Sequence, residues 1–112
     1  MMNLIALDED VAADGNSTGV AFGPAASSDP ANQFLPGQTV VALAMTSDAF
    51  DGTVEIEGSD DGGTTWDKTP LAATDLTTGK SKAFQVKMHE HMRLVVASRT
   101  AGSASMYLVR GS

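Results

Sequence analysis

A chain of 112 residues, 42% hydrophobic and 19% charged, is the size of one domain around one core, and the absence of cysteine excludes disulfides and thiolate metal sites. A net charge of −7 repels phosphate backbones, so no nucleic-acid partner is expected, and the longest apolar stretch, Val40–Met45, is too short to span a bilayer as a helix, so no membrane partner is expected either. The charge is split along the chain: residues 1–67 carry twelve acids and no Lys or Arg, whereas residues 68–112 carry seven bases and two acids, as two complementary faces or interleaved strands would require.

The first residues, Met1-Met2-Asn3-Leu4, place no base ahead of the apolar part and do not read as a secretory leader. The expected location is the cytoplasm of the producing cell or a particle assembled there. Leu4-Ile5-Ala6-Leu7 reads as an edge strand or as an arm that docks on a neighbour. Asp8 to Gly19 is an acidic, turn-rich loop, and Val20-Ala21-Phe22 is a short strand stopped by Gly23-Pro24. Ala25 to Gly37, with Pro30 and Pro36, reads as a further loop, so residues 1–37 form an N-terminal arm and loop region with short strands.

Residues 38–112 read as the body of a sandwich within the same domain. In QTVVALAMT (38–46), Val41, Leu43 and Met45 share one face and Val40, Ala42 and Ala44 the other. Both are apolar, which predicts a central strand covered on both sides, with the larger residues taken as core. TVEIEG (53–58) alternates Val54 and Ile56 against Glu55 and Glu57. AFQVKM (83–88), HMRLVVAS (91–98) and ASMYLVR (104–110) also alternate, and the last two are joined by Arg99-Thr100-Ala101-Gly102-Ser103, a connection of hairpin length. No segment has helical periodicity. The pattern predicts an all-β fold, an antiparallel sandwich or jelly-roll of six to eight short strands. Its core is expected from Val41, Leu43, Met45, Val54, Ile56, Trp66, Phe84, Val86, Leu94, Val96, Met106 and Leu108. Few aromatics (5%) make that core thin, and oligomerisation is one remedy for a thin core.

Ser59-Asp60-Asp61-Gly62-Gly63-Thr64-Thr65-Trp66 fits the pattern Ser-x-Asp-x-Gly-x-Thr-Trp. It resembles the Asp-box, a hairpin motif of sialidase propellers and many other β proteins. The residue types suit a turn: Asp accepts backbone N–H bonds, Gly supplies positive φ, and Trp restarts a strand and covers the hairpin. Ser59, Asp61, Gly63, Thr65 and Trp66 are therefore read as a structural hairpin that joins Val54–Gly58 to a strand starting near Trp66. The stretch is also similar to a hairpin of discoidin-like carbohydrate-binding sandwiches, which implies a glycan-contacting loop as the alternative.

Other constellations carry less. His89 and His91 flank Glu90 and are weak metal candidates that lack a third ligand. Asp48, Asp51, Asp60, Asp61 and Asp67 match no calcium-loop spacing. Glu55 and Glu57 suit an exposed strand face better than a glycosidase pair. Gly79-Lys80-Ser81 lacks the upstream glycine of a phosphate loop. No nucleophile can be matched with a base, so neither enzyme activity nor a cofactor is expected.

The chain length, the lack of cysteine, the apolar N-terminal stretch, the Pro/Gly-rich early loop, "GSDDGGTTW" and the closing "RLVVAS…GSASMYLVRG" together resemble the small decoration or cement proteins of tailed-bacteriophage heads. The resemblance implies a β-sandwich or jelly-roll, often a homotrimer, that sits on the capsid surface of the virion and clamps the major capsid protein. Leu4, Ile5, Leu7, Phe34 and Leu35 are the contact residues this reading selects. A detached arm predicts that removing residues 1–7 abolishes particle binding and leaves a folded domain. The rival from another class is a carbohydrate-binding or adhesion module on a tail or cell surface, with Trp66 and Tyr107 as its only aromatic platforms.

Overall fold

In a computed structural model, which describes residues 2–26, 34–76 and 81–111, the chain forms nine strands and one short 3-10 turn at Gly23–Ala25. The strands are β1 (Met2–Val11), β2 (Gly15–Asn16), β3 (Val20–Ala21), β4 (Thr39–Thr46), β5 (Asp51–Ser59), β6 (Lys68–Asp75), β7 (Lys82–Lys87), β8 (His91–Ala101) and β9 (Ala104–Gly111). The loop around Pro30 and the Gly79-Lys80 stretch lie outside the described residues.

Every pairing is antiparallel. One sheet has the order β1-β9-β4-β7; the other has β2-β8-β5-β6, with β3 also paired to β8. Because β2 and β3 both pair with β8, they act as one interrupted strand. The ladders then nest in sequence: first strand with last, second with next to last, and so inward to the β5–β6 hairpin, alternating between the sheets. That nesting is the jelly-roll, the more specific of the two architectures expected. A shortest extent of 20 Å fits two layers about 10 Å apart.

The core lies between the sheets. The first sheet contributes Leu7, Val40, Ala42, Ala44, Val86, Met106 and Leu108; the second contributes Val54, Ile56, Met92, Leu94 and Val96. Three phenylalanines outside the strands, Phe22, Phe34 and Phe50, are fully buried with them, and the Phe22 and Phe34 rings lie 5.7 Å apart. These rings supply the bulk that the small residues of β4 leave out.

Four expectations are corrected. The small face of β4 points inward, while Val41 and Met45 are exposed and Leu43 is half-buried. With both faces apolar, the size of the opposing side chains decides: Ala42 and Ala44 pair with Leu108 and Met106 and leave them room. Trp66 and Phe84, expected in the core, are half-buried. The last two strands are not a hairpin, since β8 and β9 lie in different sheets and their connection is a corner. There Gly102 has φ 75°, and a Cβ on it would stand 2.5 Å from the backbone of Phe50. Only glycine fits so close an approach. Lastly, of the two forms expected for the N-terminal apolar stretch, an edge strand or a docking arm, it is the edge strand, so residues 2–7 are not a detached arm. β1 pairs with β9 from Met2↔Gly111 to Val11↔Ala104, and Leu7 is in the core, so removing this stretch strips a strand from the sheet.

Candidate functional site

The outer face of the first sheet is set by register. Leu4, Val109, Val41 and Gln85 lie in one row across four strands, and Ala6, Tyr107, Leu43 and Ala83 in the next. Met45 continues the line along β4, and Thr39 and Lys87 close the opposite end. Seven of the eight side chains in the two rows are apolar or aromatic. Leu4 (51%), Val41 (40%) and Met45 (45%) are three of the four large apolar side chains exposed among the described residues; the fourth is Leu35 at 49%. The two central rows carry no charged side chain. Glu9, on β1, accepts a bond from the Tyr107 hydroxyl at 2.8 Å, and that bond to a carboxylate raises the phenol's pKa above its usual 10. Lys87 stands at the far end of the β7 edge. Beside it a hollow of about 240 Å³ is lined by residues that include Gln38, Thr39, Val41, Gln85, Val109 and Arg110.

The outer face of the second sheet is polar. Glu57 and Arg93 are directly opposed on β5 and β8, and both Nε and Nη2 of Arg93 reach Glu57 Oε1, at 2.7 and 2.6 Å. The guanidinium lies 4.4 Å from the centroid of the Trp66 ring. The far edge of that ring rests on Gly19, where any Cβ would come within 2.5 Å. Trp66 therefore has its ring covered by Arg93 on one side and braced at its rim by Gly19.

The Asp-box residues come together as read. Ser59 is buried; its hydroxyl donates to Asp61 Oδ1 at 2.6 Å and accepts from the Gly63 N–H at 3.0 Å. Asp61 Oδ1 also accepts from the N–H groups of Thr64 and Thr65, at 3.1 and 2.8 Å. The Ser59 hydroxyl first, and the Thr65 N–H next, hold the Asp61 carboxyl down at about 2. Gly62 and Gly63 take φ 78° and 85°. The hairpin joins β5 to β6, with Gly58 opposite Lys68. The Ser59 hydroxyl and Asp61 Oδ1 thus serve the turn itself.

The five contact residues selected from the sequence separate. Phe34 and Leu7 are core, Ile5 is half-buried against it, and only Leu4 and Leu35 are exposed. Sequence reasoning missed Val41 and Met45 as surface, since it places both in the core. The signal available was the two-sided apolar pattern of β4, which was read as burial on both sides. Around His89 and His91, no three His, Cys, Asp or Glu side chains converge among the described residues. His89 Nδ1 instead lies 3.1 Å from Asp60 Oδ2. Partial burial raises the Asp60 pKa, but the Glu90 N–H and His89 outweigh it and leave the carboxyl below its usual value. Among the described residues neither histidine hydrogen-bonds a hydroxyl, so no Ser–His pair is assembled.

Compared with protein-family models, with curated proteins and with solved structures, the chain matches none.

Proposed function

We propose that this chain is a structural virion protein that decorates the assembled head of a tailed bacteriophage and stabilises it by non-covalent contact. The observation that carries the reading is the apolar outer face of the first sheet, with Leu4, Val41 and Met45 exposed. Such a patch is the mark of a contact surface. The resemblance to decoration proteins supplies the partners, the major capsid protein and copies of the chain itself. The jelly-roll suits the role because two thin sheets present a broad surface for little mass.

Leu35 marks the shell-facing end in this reading. It stands exposed in a tight turn, its N–H bonded to Gln38 Oε1 at 3.1 Å, away from the two central rows of the apolar face. The test is co-sedimentation of the purified protein with heads that lack it. Saturable binding is expected, with a higher temperature of DNA release from decorated heads. Leu35→Asp should weaken binding at least tenfold while the melting temperature of the free protein stays unchanged. Absence of binding to any head overturns the reading. The carbohydrate-binding alternative has the jelly-roll in its favour, since lectin domains also use it. It requires glycan binding that is lost in Trp66→Ala while the fold is retained.

A further inference from the structure

We draw no further inference here: the strongest candidate, the apolar outer face of the first sheet around Leu4, Val41 and Met45, carries nothing further because nothing in the structure shows what covers it.

Discussion

The two sheets share one core and face outward in opposite ways. On the second, the central position is held by a cross-strand Glu57–Arg93 pair under the Trp66 ring, and the surface is finished by contacts within the chain. On the first, the equivalent central rows are Leu4-Val109-Val41 and Ala6-Tyr107-Leu43, with Leu4 and Val41 exposed and the others half-buried. Strand propensity does not distinguish the two, since β-branched and aromatic residues suit either. The difference lies in the outward positions themselves: a paired charge and a stacked ring on one sheet, exposed apolar side chains on the other.

The contrast can be broken or sharpened by substitution. The largest effect is expected in the shared core. Leu108→Ala behind the first face and Ile56→Ala behind the second should each cost about 2–5 kcal/mol in urea unfolding, with a single transition by fluorescence and circular dichroism. Separate transitions would mean that the sheets do not share a core. Ser59→Ala should cost about 1–3 kcal/mol, because it leaves the Gly63 N–H without its acceptor. It also bears on acid stability. The Asp61 carboxyl sits at about 2 when folded against 3.8 ordinarily, so its contribution is fully present above about 3.8 and is lost as pH falls toward 2. Melting temperature should fall across that window in the wild type and fall less in Ser59→Ala.

Arg93→Met tests the finished face. Losing a partly buried ion pair and a cation–π contact should cost about 1 kcal/mol, and the melting temperature should become less sensitive to salt. The smallest effect on the isolated domain is expected from Val41→Thr on the open face, within about 0.5 kcal/mol. A larger cost there would show that this face is already covered under the conditions of measurement.

The strands were legible where one face is apolar and the other polar. Val54 and Ile56 point inward and Glu55 and Glu57 outward, as their alternation requires. β4 defeats that logic, because alternation needs contrast and Val41-Ala42-Leu43-Ala44 has none. Side-chain volume across the sheet then settles the orientation, and that information is held in Met106 and Leu108, more than sixty residues away. Phe22, Phe34 and Phe50 stand singly among Gly, Pro and Asp and have no period to announce burial, so much of the aromatic core was invisible. Strand β6, KTPLAATD, carries a proline and exposed alanines, and only the motif before it foretold it. The Asp-box was legible because its chemistry is local: Ser59 and Asp61 bond to groups within four residues of themselves. The apolar face was not, because it is assembled from four strands far apart in the sequence.

The nesting of the ladders also fixes how the molecule bears a load. Met2 lies opposite Gly111, so a pull applied at these two points opens the β1–β9 ladder one rung at a time, like a zipper, starting where they meet. A pull spread over the broad face of the first sheet meets many rungs together. A protein of this shape is weak when tugged by its tips and strong when gripped across its flat side.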